Sequence, residues 1–197
     1  MRIKICGITN LEDALNAIQA GAHALGFVFY EKSPRYIDPN KAREIIRQLP
    51  PFVQSVGLFV NMYAAQVDFI AKLSGIDIAQ IHFEADDKFY KSLQTRHIEV
   101  IRVKAKTDLE GLDKNKFYLV DAFVESYGGE GKRIAIEWFD GIDCSNLILA
   151  GGLSAQNLHE LKGLDFYGVD VSSGVEESKG KKSKEKMIEF VNKVYEI

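Results

Sequence analysis

A cysteine closes the first apolar run of the chain, in Lys4-Ile5-Cys6-Gly7-Ile8-Thr9, and near the other end Asp170-Val171 leads into Ser172-Ser173-Gly174-Val175-Glu176. Strands that end in small polar residues suit chemistry or anion binding at their tips. Cys6 offers a thiol, and Ser172, Ser173 and Gly174 offer backbone N–H groups and hydroxyls. If one barrel brings the two tips together, a phosphorylated ligand can sit with its reacting carbons over Cys6. Gly151 and Gly152, which follow the apolar run 147–149, would let a second stretch of backbone approach the same phosphate. Each cluster alone reads as an ordinary turn. Their pairing across the last two loops is what a barrel phosphate site requires.

Asp121 ends a further apolar run, 117–120. It reads either as a solvated loop aspartate or, at the C-terminal end of a barrel strand, as an acid whose pKa burial beside an anionic substrate would raise. Cys6 likewise reads as a small buried hydrophobe or as a thiol whose pKa is lowered by the helix starting near Asn10. His82 and Asp170 also fall at strand ends and are expected to order the pocket rather than transfer protons. Gly128, Gly129 and Gly131 suit a flexible loop over the site, since no Walker lysine follows them. Cys144 has no comparable setting and reads as a packing or loop thiol.

The elements that must position these residues recur in a strand and helix rhythm. Strands are expected near 2–6, 24–30, 53–60, 76–81, 98–103, 117–120, 147–149 and 166–171. Between them, helical spacing appears from Asn10 to Gly21, in the stripe Ala42, Ile45, Ile46 and Leu49, and over 62–73 and 85–93. Ser154 is expected to cap a helix containing Leu158 and Leu161, and a closing helix is expected from about Lys184. Eight strands with crossovers suit a closed parallel (β/α)8 TIM barrel better than an open doubly wound sheet, because closure leaves no unpaired edge. The 197 residues are few for such a barrel, so the fifth and sixth helices should be short or absent.

A hydrophobic content of 46% and a formal charge of −3 describe one soluble domain spanning 1–197, with no net basic character to attract nucleic acid or an anionic membrane. The lysine-rich segment 179–186 reads as a solvated helix entry. No export signal or membrane-length apolar run is visible, so a cytoplasmic protein is expected. Cys6 and Cys144 are not in a CxxC pair, and His23, His82, His97 and His159 fall on different elements, so no metal site is expected.

Together the fragments resemble phosphoribosylanthranilate isomerases of tryptophan biosynthesis. The resemblance runs from Lys4-Ile5-Cys6-Gly7-Ile8-Thr9-Asn10 through Gly26-Phe27-Val28-Phe29, Ser33-Pro34-Arg35-Tyr36, Val56-Gly57-Leu58-Phe59-Val60-Asn61, Gln80-Ile81-His82, Asp121, Gly128-Gly129-Glu130-Gly131 and Gly151-Gly152-Leu153 to Asp170-Val171-Ser172-Ser173-Gly174-Val175-Glu176. It implies a cofactor-free Amadori rearrangement of an aminoaldose phosphate, with Cys6 as general base, Asp121 as general acid and Arg35 meeting the anthranilate carboxylate. Two positions depart from the family pattern. Phe83 replaces a usual glycine and could reshape the pocket rim, and Glu137 stands where aspartate is common. The alternatives are an isomerase of another aminoaldose phosphate and a non-catalytic phosphate-binding barrel. A monomer is expected.

Overall fold

Alternating strands and helices close into a barrel of eight parallel strands in sequence order, with β8 returning to pair with β1. The computed structural model describes residues 1–123 and 133–197. The strands are β1 (Arg2–Cys6), β2 (Ala24–Val28), β3 (Gln54–Phe59), β4 (Ile78–Ile81), β5 (His97–Val103), β6 (Tyr118–Ala122), β7 (Leu147–Leu149) and β8 (Gly168–Val171). Asp121 therefore lies within β6 rather than just beyond its end, as the flanking apolar run suggested.

Four helices cover the first half of the barrel: α1 (Leu11–Ala20), α2 (Pro39–Ile46), α3 (Ala64–Ser74) and α4 (Asp87–Ser92). Local chemistry sets their ends. The Asn10 side chain accepts from Asp13 N–H at 2.8 Å, and Gly21 ends α1 in the left-handed region. Asp38 caps α2, where Pro39 occupies the first position and loses no hydrogen bond.

The second half is leaner. The described crossovers after β5, β6 and β7 contain only 3-10 turns, at Lys106–Leu109, Ile136–Phe139 and Leu158–Leu161. The last of these corrects the expectation of a helix capped by Ser154. Asn157 instead accepts from Ser154 N–H at 3.0 Å and donates to the Gly152 carbonyl at 2.9 Å, which holds the segment in a local turn. Gly163, at φ +87°, reverses the chain two residues after the 3-10 turn ends. After β8 the chain forms a hairpin that the sequence did not reveal, β9 (Glu176–Ser178) and β10 (Lys181–Lys182), before α5 (Lys184–Glu196). Among the described residues, no helix is long and apolar enough to cross a membrane.

Period-two alternation along the strands separates two cores. Ile3, Ile5, Leu25, Phe27, Phe59 and Ile81 belong to the large shell between barrel and helices. Within the barrel, Val100, Leu119 and Ala150 form a small apolar cluster with Ile98 and Ile148. On the opposite side of the interior stand buried polar residues, Lys4, Gln80, His82 and Asp170. Charge is buried there because the strands put alternate residues into the barrel, and those residues are polar on β1, β4 and β8.

Candidate active site

Lys4 and Cys6, two residues apart on β1, share one face of the strand. Lys4 lies in register with Asp170 on β8, and its Nζ donates to Asp170 Oδ1 at 2.9 Å with both side chains buried. The pair acts electrostatically on both Cys6 and Asp121. Burial pulls the Lys4 ammonium down, but Asp170 and Cys6 more than offset it and hold Lys4 above its ordinary value.

Asp121 has the property expected of a working acid. Burial, followed by the Asp170 carboxylate, pushes its pKa up to about 6, although Arg102 and Lys4 pull the other way. Arg102 sits in register beside Asp121 on β5 and also lies over the Phe123 ring at 4.6 Å. His82 Nε2 is 3.7 Å from Asp121 Oδ2. Burial lowers the His82 pKa to about 4, with Arg102 and Lys4 adding to the shift, so the ring is neutral at physiological pH. Gln80 Nε2 lies 3.3 Å from His82 Nδ1. Gln80 Oε1 is buried without a hydrogen-bond partner among the described residues.

Cys6 differs from the expectation. Burial pushes its thiol above the ordinary value; the Lys4 ammonium pulls down, Asp170 pushes up and Lys182 pulls down again. Burial is the largest influence on the thiol, and the net shift is opposite to the lowering that was expected. Cys144, the other free thiol, is buried at 2% exposure, and its pKa is pushed to about 11, first by burial and then by Asp143. It is a packing residue.

The loops after β7 and β8 meet. Gly151 and Gly152 take φ values of +88° and +62°, conformations open to glycine. A Cβ on Gly174 would come within 2.0 Å of the Leu153 carbonyl oxygen, so the loops after β7 and β8 touch through a glycine. Ser172 is half-buried and Ser173 exposed beside them. Ser172 Oγ also lies 3.2 Å from the position of a Cβ on Gly7, which joins this cluster to the tip of β1.

Arg35 reaches the same place but is neither exposed nor unpartnered. It is 7% exposed, and its Nε and Nη2 donate to the two Glu176 carboxylate oxygens at 2.7 and 2.8 Å. Lys182 Nζ joins at 2.9 Å from Glu176 Oε1. This corrects the reading of 179–186 as a solvated helix entry, because β10 turns Lys182 inward while Lys181 faces solvent and pairs with Glu177. The sequence reading missed Lys182, Glu176, Lys4 and Arg102 as parts of the site. For Lys4 and Arg102 the signal was present as a polar residue alternating with apolar neighbours in a strand.

Phe83 does not shape the pocket rim. It is buried against Phe89, edge to face at 5.3 Å, in the shell outside the barrel. Glu137 is exposed on its 3-10 turn. Gly128, Gly129 and Gly131 lie outside the described residues.

The fold and the site define a (β/α)8 barrel that carries an ionisable acid and thiol at the C-terminal ends of its strands, beside two touching glycine-containing loops. Residues 3–193 match the family described as N-(5'phosphoribosyl)anthranilate (PRA) isomerase. The N-(5'-phosphoribosyl)anthranilate isomerase of a Nitratiruptor species is 55% identical over 193 residues, covering 98% of each chain. The phosphoribosyl anthranilate isomerase of Thermotoga maritima is 36% identical and superposes with a TM-score of 0.90 over the whole of both chains. A third relative, 32% identical with a TM-score of 0.86 over the whole of both chains, was solved in complex with reduced 1-(o-carboxyphenylamino)-1-deoxyribulose 5-phosphate. The chain belongs to the N-(5'-phosphoribosyl)anthranilate isomerase family.

Proposed function

We infer that the protein converts N-(5-phosphoribosyl)anthranilate to 1-(2-carboxyphenylamino)-1-deoxyribulose 5-phosphate, the Amadori step of tryptophan biosynthesis. Family membership over nearly the full chain supports the reaction. The observation that carries the residue assignment is the buried Lys4–Asp170 pair, which acts electrostatically on one acid and one thiol.

Asp121, with a pKa of about 6, protonates the furanose ring oxygen, and the ring opens to a protonated imine. The imine is then the electron sink. Cys6 as thiolate removes the proton from C2', giving an enolamine that returns to the ketone. Lys4 lies close enough to the thiol to stabilise its ionised form, and neutral His82 adds no competing charge beside Asp121. The loops at Gly151, Gly152, Ser172, Ser173 and Gly174 hold the phosphate, and Arg35 holds the aryl carboxylate. Asp170 keeps Lys4 in place and keeps the Asp121 pKa high.

The test is turnover of freshly generated phosphoribosylanthranilate by the purified protein, followed by loss of anthranilate-type fluorescence. Asp121→Asn and Cys6→Ser should each lower kcat by roughly 10²- to 10⁴-fold, the range of general acid–base catalysis, in folded protein. The active form has Asp121 protonated and Cys6 ionised, against the order of their pKa values. Thus kcat/KM should rise to about pH 6, run flat, and fall only above the raised pKa of Cys6. A maximum confined below pH 6 would exclude this pair. The expected monomer is checked by light scattering, with a dimer as the contrary result.

A further inference from the structure

We propose that Glu176 and Lys182, on the hairpin after β8, are positioning residues for Arg35: Glu176 fixes the direction of the guanidinium, and Lys182 keeps the buried cluster net positive so that it still attracts a carboxylate. The inference rests on the reading of Arg35 as the group that meets the substrate carboxylate.

The geometry separates the two edges of the guanidinium. Nε and Nη2 form the edge turned to Glu176, in a bidentate pair with both residues buried. Nη1 makes no hydrogen bond among the described residues, which leaves this corner of the guanidinium available to a second carboxylate. The side chain is also held from below. A Cβ on Gly7 would come within 2.6 Å of Arg35 Cδ, so the Arg35 stem crosses directly over the tip of β1, one residue beyond Cys6.

Charge counting then assigns Lys182. An Arg–Glu pair alone is neutral and would attract a carboxylate weakly. The Lys182 side chain is fully buried, and its Nζ bonds Glu176 Oε1 at 2.9 Å, the Ser172 carbonyl at 3.2 Å and Ser172 Oγ at 3.5 Å. Two cations around one carboxylate leave one positive charge. The same ammonium ties the Arg35 partner to Ser172, in the loop assigned to the phosphate, so the two anionic ends of the substrate are spaced by one buried network. The hairpin is itself anchored at its base. Lys182 N–H donates to Asp13 Oδ2 at 2.9 Å, Thr9 Oγ1 donates to the Gly180 carbonyl at 2.7 Å, and Lys186 Nζ donates to the Glu176 carbonyl at 2.7 Å.

A merely structural role would weaken every ligand alike, so the test compares two ligands in the full-length protein. One is the reduced aminoketose phosphate carrying its aryl carboxylate, and the other is the same molecule with a plain anilino ring. Glu176→Gln should weaken the carboxylate ligand roughly 10- to 100-fold, the value of a charge-assisted hydrogen bond, while the anilino ligand changes less than about threefold. In turnover the loss should fall on KM more than on kcat. Lys182→Met should lower affinity for the carboxylate ligand more than Glu176→Gln does, and the Lys182→Met/Glu176→Gln double variant, whose cluster is again net positive, should recover part of that loss. Equal weakening of both ligands, or no recovery in the double variant, would overturn the proposal. Should Lys182→Met not fold, the two-ligand comparison in Glu176→Gln decides alone. Wild-type turnover of phosphoribosylanthranilate is read separately: its absence would count against the function, whereas wild-type turnover with unselective variants would count against this network only.

Discussion

The two ends of the barrel use their polar residues in opposite ways. At the C-terminal end, charged side chains are buried and almost every one has an opposite partner: Lys4 with Asp170, and Arg35 and Lys182 with Glu176. At the N-terminal end lies a cavity of about 800 Å³, whose lining includes Phe52, Tyr90, Phe117 and Tyr167. Its rings pack on one another, Tyr90 stacked on His97 at 5.2 Å and Phe117 on Tyr167 at 4.5 Å. This cavity reaches inward as far as Lys4 and Gln80. Displaced proton affinities occur at both ends, since burial also raises the pKa of Tyr90 and of Glu99 in the cavity lining; what sets the C-terminal end apart is that Asp121 and Cys6 are both acted on by one buried Lys4–Asp170 pair.

The sharpest way to break this division is to separate the loops proposed to hold the phosphate without touching a charged group. Gly174→Ala places a methyl group 2.0 Å from the Leu153 carbonyl oxygen, a contact the backbone can relieve only by moving apart. A displacement on the order of 1 Å costs about 10²-fold where orientation matters, so kcat/KM should fall by roughly that factor, with the circular dichroism spectrum unchanged. Gly75→Ala is the matched control. Its Cβ meets nothing within 4 Å, and its positive φ strains only the end of α3, so stability should drop by about 1 kcal/mol with kcat/KM intact. Equal activity losses in the two variants would mean that the loops do not set the site.

The contrast between the ends also marks what could be read in the chain. The eight strands were legible because apolar runs recur with turn residues between them, and Cys6 and Asp121 were legible because each closes or nearly closes such a run. Alternation tells which face a residue occupies but not which residue it meets. Lys4 and Asp170 are 166 positions apart and Arg35 and Glu176 are 141 apart, and only barrel closure pairs them. Lys182 was hidden for another reason: in a run of lysines, solvation is the low-energy fate of most, and a two-residue strand is enough to turn one inward. The direction of the Cys6 shift was missed because burial, which a linear sequence does not reveal, is the largest influence on the thiol.

A smaller effect tests the electrostatic side of the comparison. The folded protein holds the Asp121 pKa near 6 against an ordinary 3.8, so the native state binds the proton more tightly than the unfolded chain. Stability must then fall as pH rises from about 4 through about 6, and it does not return above that range. Asp121→Asn removes the ionisation while keeping the shape. It should be more stable than the wild type by roughly 2–3 kcal/mol at pH 8, from two pKa units on a side chain that is one-fifth exposed, with no gain from this source below pH 4. Urea midpoints of both proteins at pH 8, 6 and 4 measure the difference. A constant gap across the three would show that burial of the carboxylate, rather than its charge, is what the protein tolerates for catalysis.

The smallest effect lies at the other end. Phe117 is half exposed and rests on Tyr167 at the N-terminal rim, so Phe117→Ala removes one aromatic contact and part of a ring's burial. The cost should be about 1 kcal/mol in urea unfolding. Neither ring belongs to a residue proposed to move a proton or meet an anion, and β6 runs from Tyr118 beside the pair to Asp121 through Leu119 and Val120, both buried. If the strand transmits nothing along its length, kcat/KM stays within about twofold of wild type while stability falls. If kcat/KM drops tenfold at full folding, the rim fixes the height of Asp121 in the barrel, and the two ends are one mechanical unit through β6.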